Sequence, residues 1–303
     1  MTEELGRYKI LEKLGQGGFA VVYRAHDTEL DRQVALKELR HSLLADSEGI
    51  RRFKREARTI ARLNHPRIVT IHDVLAVAER LFIVMHLVDG LSLDKLIAGQ
   101  GGLPWPQALE ILPAVAEALD YAHALNVLHR DLKPANILLD PERGPPLSDF
   151  GLAKLVSEAG TSVTAAGGIV GTPHYIAPEV WEGQGTTPQS DIYALGCVLY
   201  EMLAGKRLFP GETPAAVMMA HLRPLTLPES WPEGVPSGIA ASLQTALARQ
   251  PGDRYATAGE LAVALLGLAE AGRRPVSPAE QRVTGQATPG PGHNLPAQTT
   301  PFV

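Results

Sequence analysis

Cysteine is all but missing from this chain of 303 residues. Cys197 stands alone, which excludes an internal disulfide, and no cluster of Cys and His has the spacing of a zinc site. An excess of positive charge is missing too. The formal net charge is −5, which argues against a surface that grips nucleic acid by its phosphates. The opening "MTEELGRYKI" lacks the apolar run of a signal peptide. The longest apolar stretches, such as "LAVALLGLA" at 261–269, reach about half the length that crossing a bilayer requires. No internal repeat is visible. What remains is 45% hydrophobic and 20% charged, ordinary for a soluble globular protein and long enough for about two domains with real cores. The expectation is a cytoplasmic protein with no membrane segment in this chain.

Residues 8–40 alternate in the manner of strands. In "VALKEL" (34–39), Ala35, Lys37 and Leu39 share one face, while Val34, Leu36 and Glu38 share the other. Over 48–63 the period changes, and Ile50, Phe53, Ala57, Ile60 and Leu63 recur at helical spacing. Strand patterns return at 67–75 and 81–88. From 106 onward helical signals dominate, although Pro113 is expected to kink or interrupt the segment 107–125. "SDIYALGCVLYEMLA" (190–204) reads as a helix buried nearly all round, with Ser190 as its N-cap. Further helices are expected near 213–221, 237–249 and 257–270. The last 31 residues hold six prolines and a single aromatic, Phe302, too little apolar surface to offset chain entropy, so they read as a disordered linker or tail.

The densest chemistry lies in "LHRDLKPANILL" (128–139), where His129, Arg130, Asp131, Lys133 and Asn136 stand between apolar flanks that look like buried strands. An unpaired buried polar group costs ~1–3 kcal/mol, so these groups either satisfy one another or await something charged. "LGQGGFAVVY" (14–23) carries Gly15, Gly17 and Gly18. A dinucleotide-binding loop would need a helix after the glycines, whereas the following "VVYRAHD" alternates like a strand. A glycine loop between two strands can fold as a flap with its backbone N–H groups over phosphates. Lys37 is odd in a core strand, and Glu56 is odd beside the apolar stripe of Phe53 and Ile60; each is reasonable as the partner of the other. In "LSDFGLAK" (147–154), Asp149 follows a short apolar segment, and with Asn136 it offers the oxygen ligands that Mg²⁺ shares with phosphates.

In order, the chain shows a glycine loop, "VALK", a helix with Glu56, "HRDLKPAN", "DFG", "GTPHYIAPE", "SDIYALG" and "RYAT". Over roughly residues 8–268 this resembles the protein-kinase family, and within it the eukaryotic-like (Hanks-type) Ser/Thr kinases of bacteria. The resemblance implies an α+β, two-lobed fold: a small antiparallel N-lobe with one key helix (8–88), a larger helical C-lobe (89–270), then the tail (271–303). It implies phosphoryl transfer from ATP with Mg²⁺, or Mn²⁺ in its place, to Ser/Thr hydroxyls of protein substrates. Leu14, Gly15, Gln16, Gly17, Gly18, Phe19 and Ala20 would cover the phosphates, and Lys37, held by Glu56, would contact them. Asp149 and Asn136 would hold the metal. Asp131 would accept or orient the hydroxyl proton, and Lys133 would neutralise the γ-phosphate in transit. Val22, Ala35 and Leu138 would sandwich adenine, with Met85 as gatekeeper and the backbone of His86 and Val88 as its partners. His86 departs from the glutamate common there, and Ala20 from a glycine.

Thr172 and the Lys133-Pro134 pair match the Ser/Thr branch. Ser92 and Ala135 stand where relatives that prefer upstream arginine have acidic residues, so a strongly basophilic preference is doubtful. Arg130 before Asp131 implies activation by autophosphorylation, expected first at Thr164, then at Thr161 and Ser162. Glu179 with Arg254, and Asp191, match structural positions of the family. Three alternatives stay open: a catalytically dead scaffold, N-lobe homodimers, and a chain that is the cytoplasmic part of a longer membrane-anchored kinase.

Overall fold

The period-two runs become an antiparallel sheet. The computed structural model of the chain describes residues 3–17, 20–39, 47–77, 80–151 and 172–273. Strands β1 (Glu4–Leu5), β2 (Tyr8–Gln16), β3 (Ala20–Asp27), β4 (Arg32–Leu39), β5 (Ile71–Val77) and β6 (Arg80–His86) lie in the order β1-β2-β3-β4-β6-β5. Alternation places Ala35 and Leu39 of β4, and Leu81, Ile83 and Met85 of β6, in a large core on one face. Val34, Leu36, Phe82 and Val84 fill a smaller core on the other. Helix α1 (Ser47–Ile60) packs Phe53, Ala57 and Ile60 into the large core.

That core continues without a break into the helical part. Helices α2 (Leu93–Gln100), α3 (Trp105–Ala124), α4 (Pro178–Trp181), α5 (Pro188–Ala204), α6 (Pro214–Leu222), α7 (Ile239–Ala246) and α8 (Ala258–Arg273) follow in chain order. A two-stranded antiparallel ladder joins β7 (Leu91–Ser92) to β8 (Leu138–Leu139). At Gly205, the left-handed residue that ends α5, a Cβ would come within 2.0 Å of the Gly101 carbonyl oxygen, so only glycine lets the ends of α2 and α5 meet there. No helix among the described residues is long and apolar enough to cross a membrane.

Several sequence expectations need correction. Helix α3 runs through Pro113, which sits inside it rather than interrupting it. Helix α5 begins earlier than expected: Thr187 is the N-cap and Pro188 occupies the first turn. Ser190 is three residues inside, where its Oγ accepts a bond from the Thr187 amide at 3.0 Å to complete a capping box. Residues 127 and 128 form no strand. Residues 67–69 leave the sheet to pair with the other lobe, as the Leu147 amide donates to Arg67 O and the Val69 amide to Leu147 O, both at 2.8 Å. The tail from 274 onward lies outside the described residues.

Candidate active site

The polar loop of residues 128–139 is held from below by one carboxylate. Asp191, on the first turn of α5, accepts the amides of His129 and Arg130 at 2.9 Å each and contacts His123 Nε2 at 2.7 Å. Burial pushes the Asp191 carboxyl up, but His123 and the backbone donors overcome it and leave it below the ordinary carboxylate range. Arg130, at φ 67°, reverses the chain so that Asp131 faces the cleft. His129 is fully buried, and its ring stacks at a tilt on Phe150, 4.6 Å between centroids.

Around Asp131 the side chains form one connected set. Lys133 Nζ donates to Asp131 Oδ2 at 2.6 Å and to Thr172 Oγ1 at 2.9 Å. The Thr172 amide donates to Asp131 Oδ1 at 3.3 Å. Asn136 Nδ2 donates to Asp131 O at 2.8 Å and reaches Asp131 Oδ2 at 3.3 Å, while the Asn136 carbonyl takes the Ser148 amide at 2.9 Å. That last bond joins the loop to Asp149, whose Oδ2 lies 2.6 Å from Lys37 Nζ. Burial pushes the Asp149 carboxyl up, and the Lys37 ammonium more than reverses this, so it is held below the usual range. The structure thus brings Lys37, Asp131, Lys133, Asn136, Asp149 and Thr172 together at the junction of the lobes. Glu56, expected against Lys37, lies on α1 and pairs with its neighbour Arg55 at 3.6 Å; the carboxylate that meets Lys37 is Asp149.

Above this set, β2 and β3 turn with a bond from the Gly17 amide to Ala20 O at 2.9 Å. Leu14, Gly15 and Gln16 end β2, and Val22 lies opposite both Gly15 and Lys37. Gly18 and Phe19 lie outside the described residues, as do Thr161, Ser162 and Thr164. Ala35 pairs in register with Met85, and Leu138 lies on β8 of the helical lobe, paired with Ser92. The His86 amide donates to Thr70 O at 2.9 Å, which leaves only its carbonyl for a ligand. Its ring contacts Arg143 at 3.2 Å, and Val88 follows in the connection between lobes.

Among the described residues no group of three or more His, Cys, Asp or Glu could enclose a metal. Asn136 and Asp149 supply two oxygen-bearing side chains, which fits an ion that keeps its waters and shares phosphate oxygens, as Mg²⁺ does.

Away from the cleft, Glu179 and Arg254 form a bidentate pair at 2.8 and 2.7 Å. Ser190 donates to Glu179 at 2.6 Å, and three backbone carbonyls at 2.8 to 3.0 Å take the remaining Arg254 donors. Sequence reasoning missed His123 beneath Asp191, Arg143 beside His86, and the bond from Tyr175 OH to Glu201 at 2.6 Å. None of the three has a local spacing that would announce it.

The family described as the protein kinase domain matches residues 8–262. The chain is 40% identical over 257 residues to the serine/threonine-protein kinase PrkC of Bacillus subtilis, covering 84% of this chain and 39% of that protein. It is 38% identical over 260 residues to the serine/threonine-protein kinase PknB of Mycobacterium tuberculosis, covering 84% of this chain and 42% of that one. This chain therefore spans less than half the length of either relative. The kinase domain of Mycobacterium tuberculosis PknI superposes with a TM-score of 0.67 at 29% identity, over 88% of this chain and 98% of that domain. With its ordered motifs, its two lobes, the Lys37–Asp149 pair that joins them and the Asp131–Lys133–Thr172 contacts within the helical lobe, this chain belongs to the protein kinase family.

Proposed function

We propose that this chain is a protein serine/threonine kinase, transferring the γ-phosphate of ATP to Ser/Thr hydroxyls of proteins. The observation that carries this reading is Lys133, which bonds at once to Asp131 and to the hydroxyl of Thr172. Its ammonium therefore sits where an acceptor hydroxyl and a phosphoryl group would meet. The acceptor oxygen attacks the γ-phosphorus, the bond to the β–γ bridging oxygen breaks, ADP leaves, and Asp131 takes or orients the hydroxyl proton. Mg²⁺, held through Asn136 and Asp149, would neutralise phosphate charge. Lys37 steers the α- and β-phosphates, and Val22, Ala35, Met85, His86, Val88 and Leu138 form the adenine slot.

The lobes divide near residue 88, with 8–88 above and 89–270 below, and 271–303 serves as tail or linker. ATP-dependent chemistry puts this kinase on the cytoplasmic side. Among the described residues the buried Nε of Arg130 has no hydrogen-bond partner. A phosphate on Thr164, or on Thr161 or Ser162, would supply one, so autophosphorylation activates the enzyme.

Mass spectrometry of the purified chain with Mg²⁺-ATP, beside Asp131→Asn, tests the reading. Phosphate on the first and none on the second is expected. Phosphate on neither, with no transfer to a generic protein acceptor, would replace a kinase with a binding scaffold.

A further inference from the structure

One turn of the helical lobe reaches back to the sheet lobe. Residues 140–144 follow β8 and close on themselves, the Gly144 amide donating to Asp140 O at 2.8 Å and the Asp140 amide to Gly144 O at 3.2 Å. Asp140 Oδ1 takes the amides of Glu142 at 2.9 Å and Arg143 at 3.1 Å, which fixes the backbone that carries Arg143. The turn meets the sheet lobe at two points. Gly144 lies against the Arg67 guanidinium, where a Cβ would collide with Nη1. Arg143 Nη1 lies 3.2 Å from Nε2 of His86, the last residue of β6. A guanidinium has donors only, so Nε2 accepts and the imidazole is neutral, with its proton on Nδ1.

His86 thus serves both lobes. Its amide is bound to Thr70 O and its carbonyl is left for adenine, while its ring is held from the helical lobe. Titratable and charged groups face that ring from three elements: Arg143 and Asp140 from the turn, Arg32 from the start of β4, and His72 of β5, edge-on at 6.3 Å between centroids. Burial first, then the Arg143 charge, hold the imidazole below its usual range; Arg32 adds to this and Asp140 opposes it. Burial depresses His72 as well, with Arg32 and His86 adding, so it brings no competing charge at pH 7.

We propose that Arg143 is a positioning residue, which through His86 props the hinge against the helical lobe and sets its carbonyl for the adenine of ATP, and that a proton on His86 removes the prop. The proposal rests on the kinase reading. A protonated imidazole is a donor at both nitrogens and a cation, so its contact with the guanidinium turns from a bond into a repulsion. The prop is complete at pH 7 and above, and it is lost as the imidazole takes up its proton below the usual range of about 6.5. ATP binding weakens in acid, while the step at Asp131 keeps its own groups.

The test is KM for ATP and kcat from about pH 7.5 down to about pH 5, in the wild type, Arg143→Met, His86→Glu and the double variant. Methionine keeps the stem of Arg143 without its donors. Arg143→Met should raise KM by about threefold at the upper pH, the scale of one exposed hydrogen bond, with kcat unchanged. That gap should close toward the lower pH, where the wild type has lost the same bond. His86→Glu supplies an acceptor that stays ionised across the range, so the gap between it and the double variant should persist into acid. Each gap compares two proteins at one pH, which cancels the titration of ATP itself. An unchanged KM in Arg143→Met, a wild-type gap that persists into acid, or a His86→Glu gap that closes there would overturn the prop and leave the kinase reading intact. A wild type that neither binds nor turns over ATP would overturn both.

Discussion

Two ion pairs in this chain are almost equally short, Glu179–Arg254 at 2.7 Å and Lys37–Asp149 at 2.6 Å, yet they are built differently. In the first, the side chains are 4% and 0% exposed, and Ser190 plus three backbone carbonyls complete the hydrogen bonding. In the second, the side chains keep 15% and 21% exposure and open onto the cleft between lobes. Asp191 resembles the first kind, closed off by His123 and two amides, whereas Asp131 resembles the second, facing Lys133 and Thr172. Charges that hold the fold have each polar atom matched by a buried partner. Charges meant for chemistry are parked against one another with an open side.

The comparison makes opposite demands on the two classes. Asp131→Asn should lower the rate of phosphoryl transfer by ~10²–10⁴-fold, the usual share of a proton-handling group. In urea melts the same variant should shift unfolding by no more than about 1 kcal/mol, since its bonds are few and solvent can replace them. Arg254→Ala should do the reverse, removing ~3–5 kcal/mol of stability by leaving the Glu179 carboxylate buried without its cation. A variant of either class that behaves like the other would break the distinction.

Acid should sharpen it further. His221 is buried, accepts or donates at Nδ1 with Tyr193 OH at 2.8 Å, and burial depresses its imidazole to about 4. Between pH 6.5 and 4 the unfolded chain then binds a proton that the folded chain refuses, so stability falls as pH falls through that window. His221→Gln should flatten the decline by up to ~1.4 kcal/mol per pH unit in urea melts taken across it. Asp191 and Glu179 are depressed carboxyls, so their contribution is complete above the ordinary carboxylate range and disappears only as pH drops below about 4. Among the fold-holding residues the smallest effect belongs to Ser190→Ala, about 1 to 2 kcal/mol against ~3–5 for Arg254→Ala, because Ser190 both completes the α5 capping box and donates to Glu179.

Much of this arrangement is legible in the sequence where the physics is local. Period two in β4 and β6 assigns Ala35, Leu39 and Met85 to one core and Leu36 and Val84 to the other. The spacing of Phe53, Ala57 and Ile60 marks α1. The cleft residues are legible as a set of awkward polar groups, although the sequence pairs Lys37 with Glu56 while the structure sets it against Asp149. That choice depends on how α1 sits against the sheet, which no local period encodes. His123 is invisible for the same reason: its partner Asp191 lies on another helix. Ser190 is misread because Thr187-Pro188 is the stronger helix start, and Pro113 because tertiary packing holds α3 continuous across a residue that would interrupt an isolated helix.

The most direct test of the contrast is the thermal unfolding of the purified chain with Mg²⁺, with ATP, and with both together. A chain whose cleft charges await Mg²⁺-ATP should be stabilised most by the pair, by about 2.7 kcal/mol at a hundred times the dissociation constant, and that gain should vanish in Asp149→Asn. No shift with Mg²⁺-ATP, or an equal shift in Asp149→Asn, would contradict the assignment of the Lys37–Asp149 pair to chemistry rather than to the fold.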